Sequence, residues 1–168
     1  MRKIECKRLD AVTFRKYGDY QSIIHPDGEK IGDKPSEFFR DMAQIKLGNT
    51  NILSVSSLRI GMRPMIVDLL EYHNFCGEAI IPLDADIIVQ LAPATPNGEI
   101  PYNKIEAFYV PKGTIVVLNP GVWHHSPFVC INDEAHLLCM LPERTYENDA
   151  HVVQFPDGEK IEIISTII

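Results

Sequence analysis

The stretch Gly113-Thr114-Ile115-Val116-Val117-Leu118-Asn119-Pro120-Gly121-Val122-Trp123-His124-His125 decides the fold. A run of β-branched and aliphatic residues forms a strand ending at Leu118. Asn119-Pro120-Gly121 then supplies the turn, and two histidines open the next strand. Successive side chains on a strand point to opposite faces, so His124 and His125 are expected to face opposite ways, with Trp123 sharing the direction of His125.

The same rhythm recurs on either side. Segments 52–59, 65–72, 78–82, 87–91, 105–110, 136–141 and 161–167 are short, rich in Val, Ile, Leu and aromatics, and punctuated by Gly, Pro, Asn and Asp. This pattern predicts a mostly β chain folded as one antiparallel barrel or sandwich over residues 1–168. Helices are expected to be few, short and peripheral. Asp10 can cap one that ends near Gly18, and a second turn of helix is expected from Ser36. Residues 92–101, with three prolines and Asn97-Gly98, read as an irregular loop. Pro-Asp-Gly-Glu-Lys occurs at 26–30 and again at 156–160, and reads as two tight turns.

Composition narrows the function classes. The chain has 168 residues, 45% of them hydrophobic, enough to bury a real core. Its formal net charge is −7, from 16 basic and 23 acidic residues, and no Lys/Arg run exceeds two. Nucleic-acid affinity rests on neutralising phosphates, so nucleic acid is a poor partner for this surface. A small anionic substrate stays open, because a pocket can oppose the net charge. Cys6, Cys76, Cys130 and Cys139 show no CxxC spacing and read as reduced, mostly buried thiols. Residues 1–10 are charged and lack a signal-peptide core, and no apolar run reaches membrane-spanning length, so a cytoplasmic location without membrane association is expected. The apolar tail 161–168 must be covered, either by the barrel or by a partner subunit.

The histidine segment resembles the second cupin motif. Gly113, Gly121 and His124 fall in register, Asn119 replaces the motif's proline, and Phe128 stands where its asparagine would be. Glu71-Tyr72-His73 followed by Glu78 has the spacing of the first cupin motif, with Glu71 in place of the first histidine. The fold this implies is a cupin-like jelly roll. Strand alternation puts Glu71 and His73 on one face, so Glu71, His73, Glu78 and His124 are expected to form a cluster suited to Mn, Fe, Ni or Zn, with no organic cofactor.

A closer likeness runs from about Phe14 to Leu141. Phe14-Arg15-Lys16-Tyr17-Gly18-Asp19, Leu70-Glu71-Tyr72-His73, Ile80-Ile81-Pro82 and Val122-Trp123-His124-His125 make the chain similar to the ureidoglycolate lyase family. Departures are Glu78, where the family carries Gln, and Arg59, two places from the family's basic residue. The resemblance implies cleavage of ureidoglycolate to glyoxylate and urea in allantoin breakdown, by a homodimer.

That chemistry needs a cation for the carboxylate, a base for the carbinol proton and an acid for the departing nitrogen. Arg59, Arg63 or Lys112 is expected to hold the carboxylate, with His125 and Trp123 as further binding residues. His124 or His73 is the expected base. Glu78, with its pKa raised by burial, is the expected acid. The alternatives are a metal-dependent cupin enzyme of another class, an isomerase or dioxygenase, and a metabolite-binding cupin module.

Overall fold

The computed structural model describes residues 1–167, so Ile168 of the apolar tail lies outside the described residues. In chain order the strands are β1 (Arg2–Arg8), β2 (Gly18–Ser22), β3 (Lys30–Ile31), β4 (Phe38–Phe39), β5 (Leu53–Gly61), β6 (Ile66–Val67), β7 (Leu69–Tyr72), β8 (Glu78–Pro82), β9 (Ile87–Leu91), β10 (Glu106–Val110), β11 (Thr114–Leu118), β12 (Phe128–Val129), β13 (Glu134–Pro142), β14 (His151–Gln154) and β15 (Ile161–Ile164). Two four-residue helices, α1 (Ala11–Phe14) and α2 (Thr145–Asn148), join them. None of the helices is long and apolar enough to cross a membrane among the described residues.

Six strands pair in the order β12-β9-β10-β1-β15-β6 and five in the order β2-β11-β8-β13-β5. The two sheets enclose one core, in which Ile87, Val89, Leu91, Phe108 and Val110 meet Ile80, Val116, Leu118 and Leu137. The fold is therefore the mostly β, cupin-like barrel that the sequence implies. A second core covers the outer face of the six-stranded sheet with Ile88, Ala107, Trp123, Phe128, Phe155, Ile161 and Ile163. Burial on both faces explains why β9 reads Ile-Ile-Val-Gln-Leu without alternation. Its single polar residue, Gln90, donates from Nε2 to the carbonyls of His125 (2.9 Å) and Ser126 (3.1 Å).

Three expectations are corrected. The barrel is not wholly antiparallel, because β1 runs parallel to both β10 and β15. Ser36 starts no helix: it lies in the link between β3 and β4, which form a small antiparallel hairpin. The tail strand stops at Ile164, with Ile161 paired to Val67 and both Ile161 and Ile163 buried inside the chain's own second core. By contrast, Asp10 does cap α1, accepting from the N–H groups of Val12 and Thr13. It anchors Phe14, whose ring meets Phe108 edge-on at 5.3 Å.

Candidate functional site

Three chain segments converge at one end of the five-stranded sheet. Glu78 opens β8 opposite Leu118, and Gly77 lets the two strands close there: a Cβ on Gly77 would stand 2.6 Å from the Leu118 carbonyl oxygen. His124 is held by a backbone bridge to Glu71, reached through a turn in which Gly121 has φ +78°. His73 follows the last residue of β7, its carbonyl accepting from the Gly121 N–H at 2.6 Å.

Backbone carbonyls set both imidazoles. His73 donates from Nδ1 to the Asp149 carbonyl (2.8 Å), and His124 donates from Nδ1 to the Val122 carbonyl (2.9 Å). Their Nε2 atoms are thereby aimed at the same Glu78 oxygen, 3.4 Å and 2.8 Å away. All three side chains are buried. Burial raises the Glu78 pKa, but the hydrogen bond and charge of His124, then the nearby His73 imidazole, outweigh it and hold the carboxyl below its usual range. Burial likewise opposes protonation of His124, and the same Glu78 contact outweighs it and moves His124 upward. The expected rise of the Glu78 pKa on burial is therefore corrected: two imidazoles beside its oxygen favour the ionised carboxylate.

His73 Nε2 is buried and makes no hydrogen bond among the described residues. An orphaned lone pair, a second imidazole and a carboxylate, with one ligand atom from each all within 4.8 Å of one another, fit a divalent cation. The carbonyls on both Nδ1 atoms are the outer contacts that fix the tautomer of metal-binding histidines. Glu71 is not in this group. Strand β7 ends at Tyr72, so alternation does not carry Glu71 and His73 to the same point, and Glu71 stands on the wall of the adjoining pocket.

That pocket, about 160 Å³, is walled by Glu71, Glu78 and His124, with Leu58, Ile80 and Cys139 behind them and His125, Ser126, Pro127 and Tyr146 around them. His125 was expected to face away. It lines the pocket because the chain bends at Ser126 after the isolated bridge, so strict alternation ends at His124.

Trp123 does not reach the pocket. It is buried in the second core, packs on Tyr72 with ring centroids 4.4 Å apart and donates from Nε1 to Thr95 Oγ1. Arg59 is exposed on β5 between Leu58 and Ile60, both of which point inward, so it lies on the outer face. Lys112 is exposed at the far end of β11, about 20 Å along the strand from Leu118, where Glu78 pairs.

Of the three cations only Arg63 contacts residues that line the pocket, although it is not a lining residue itself. Its Nη2 donates to the carbonyls of Ser126 (2.7 Å) and Pro127, and its guanidinium lies 3.9 Å from the Phe128 ring centroid.

Sequence reading missed Cys139, Tyr146 and Asp149. Alternation along β13 was the signal for Cys139. Tyr146 and Asp149 come from a corner after β13 that carries no periodic pattern. Asp149 is buried, and its carboxylate accepts from the N–H groups of Asn74 and Phe75 at 2.8 Å each, fixing the segment that follows His73.

Ureidoglycolate lyases from Salmonella paratyphi B and Salmonella newport are each 26% identical over 131 residues, covering 75% of this chain and 79% of theirs. Among solved structures, a dTDP sugar isomerase from Desulfovibrio desulfuricans has 13% identity and a TM-score of 0.47, over 85% of this chain and 87% of that chain. A 3,4-ketoisomerase from Thermoanaerobacterium thermosaccharolyticum has 15% identity and a TM-score of 0.46, over 79% and 85%. Residues 1–162 match the family described as ureidoglycolate lyase, and the chain belongs to that family.

Proposed function

We propose that the chain is a carbon–nitrogen lyase that cleaves ureidoglycolate to glyoxylate and urea, with a divalent cation held by His73, Glu78 and His124. The observation that carries this reading is the convergence of two Nε2 atoms on one ionised carboxylate at the wall of a small pocket, in a chain of this family. Bound there, the cation would supply Lewis-acid polarisation of the substrate.

The protein's own groups account for the rest. A pocket of about 160 Å³ is of a size that suits a small hydroxy acid. Arg63 is half-buried and has no carboxylate within ion-pair distance among the described residues, so it is free to take the substrate carboxylate. Glu71, on the wall beside His124, accepts the carbinol proton. The oxygen's electrons close the new C=O bond, the C–N bond breaks, and its electron pair leaves on nitrogen. With both Nε2 atoms turned to Glu78, neither imidazole is free to act as that base. The family resemblance further suggests a homodimer acting in cytoplasmic allantoin breakdown, and light scattering on the purified protein tests the dimer.

The test is direct. Protein loaded with Mn²⁺, Ni²⁺ or Zn²⁺ is incubated with ureidoglycolate and glyoxylate is followed, with His124→Ala as control. Release above the spontaneous rate by the wild type, lost in the variant, is expected. Equal release by both at the spontaneous rate removes the reading.

A further inference from the structure

The departing urea nitrogen must receive a proton, and the groups already placed do not give one. The Glu78 carboxylate is turned to the Nε2 atoms of His73 and His124, and the Nδ1 protons of both are engaged on carbonyls. His125 and Ser126 stand on the wall next to Arg63, the cation assigned to the carboxylate. We propose, resting on the lyase reading above, that Tyr146 touches the substrate and gives its phenolic proton to that nitrogen.

Tyr146 lines the same pocket as Glu71, Glu78 and His124, and its ring stands edge-on to His73 with centroids 6.0 Å apart. It is 60% exposed, which places it at the mouth rather than in the core. Among the described residues its hydroxyl has no hydrogen-bond partner, unlike those of Tyr17 and Tyr109, which bind Glu106 and Asp86.

The corner that carries it is held at a conformational cost. Arg144, a non-glycine residue, sits at φ +58°, a region that costs L-residues roughly 1–2 kcal/mol and that gathers at functional sites. Thr145 Oγ1 donates to the Pro142 carbonyl (2.7 Å) and the Asp149 N–H donates to the Thr145 carbonyl (2.8 Å), closing α2. The same corner presents the carbonyl that orients His73. One short segment thus sets both a histidine of the buried cluster and the phenol over the pocket.

The proton count closes. The C–N bond breaks with its electron pair on nitrogen, and the O–H proton of Tyr146 moves to that nitrogen to complete urea. The phenolate then regains, through solvent at the mouth, the proton that the carbinol hydroxyl gave to Glu71.

Glyoxylate release by the wild type and by Tyr146→Phe tests this. The variant is expected to lose on the order of 100-fold or more in kcat while KM moves by less than about threefold, since a proton donor acts in the transition state. Metal content and unfolding midpoint are expected to match the wild type, because the lost hydroxyl has no partner among the described residues. An active wild type with an equally active variant overturns the proposal alone, as does a variant changed only in KM. A wild type that releases no glyoxylate above the spontaneous rate overturns the lyase reading and the proposal with it.

Discussion

Glu71 and His124 exchange backbone hydrogen bonds across an isolated antiparallel bridge, each N–H donating to the other's carbonyl, at 2.7 and 2.8 Å. Residues opposed in this way project their side chains to the same side of the ladder. The carboxylate of Glu71 therefore belongs to the pocket by construction, and its charge is among the influences favouring protonation of His124. Glu71→Gln keeps the bridge and the side-chain shape while removing the base. Glyoxylate release is expected to fall by about 10² to 10⁴, with divalent metal still bound. Full activity in that variant removes Glu71 from the reaction.

Metal binding isolates the buried cluster from the rest of the pocket. His73→Ala removes one of three donors and is expected to weaken Mn²⁺, Ni²⁺ or Zn²⁺ binding by more than about 100-fold, since even outer-contact losses cost metal sites 10- to 100-fold. Titration calorimetry on metal-stripped protein measures this. Affinity indifferent to the substitution means that His73 is no ligand.

How much of this the sequence carries depends on what each residue's neighbours along the chain can reveal. The bounds of β8, β9 and β11 were legible because aliphatic runs stop at Pro, Asp or Gly, and Glu78 and His124 followed from motif spacing. Strand β1 was not seen: Arg-Lys-Ile-Glu-Cys-Lys-Arg looks solvated, and only Cys6 is fully buried, with Ile4 partly so, while its partners β10 and β15 lie far away in sequence. Alternation misled at His125 and at the Glu71–His73 pair because it holds only inside a continuous ladder. Each of these residues sits where a ladder stops. Tyr146 depended on the left-handed turn at Arg144, a backbone state that an arginine does not announce.

Trp123 separates structure from binding. Because it lies in the second core against Tyr72 with its Nε1 on Thr95, Trp123→Phe is expected to cost about 1–3 kcal/mol of stability, from lost volume and one hydrogen bond. Denaturant midpoints read the loss. KM for ureidoglycolate is expected to stay unchanged; a raised KM would return Trp123 to the pocket.

Acid stability has an identified contributor away from the site. Burial raises the Glu106 pKa, but contacts with Lys16, Lys7 and Tyr17 outweigh it and bring the carboxyl from 4.5 to about 2. A carboxyl lowered on folding stabilises the protein above its unfolded pKa. That contribution fades as pH falls from about 4.5 towards 2. Glu106→Gln is expected to be less stable than the wild type at pH 7, by less than the full shift implies because solvent screens the pairs, and to converge with it near pH 2. Denaturant midpoints across that range show it. Parallel curves at every pH dismiss the linkage.

Arg63 discriminates among the three cations that the sequence offered for the substrate carboxylate. Only its guanidinium contacts pocket-lining residues, tied by Nη2 to the Ser126 and Pro127 carbonyls and lying over Phe128, which leaves its other N–H groups for an anion. A hydrogen bond to a charged group is worth about 1.5–3 kcal/mol, so Arg63→Ala is expected to raise KM by roughly 10- to 150-fold. Arg63→Lys keeps the charge but not the planar fork and is expected to fall between the two. Arg59→Ala, on the outer face, and Lys112→Ala, at the far end of β11, are expected to leave KM at the wild-type value. If Arg63→Ala also leaves KM unchanged, the carboxylate is held by the cation between His73, Glu78 and His124, and Arg63 serves only to brace the chain at Ser126 and Pro127.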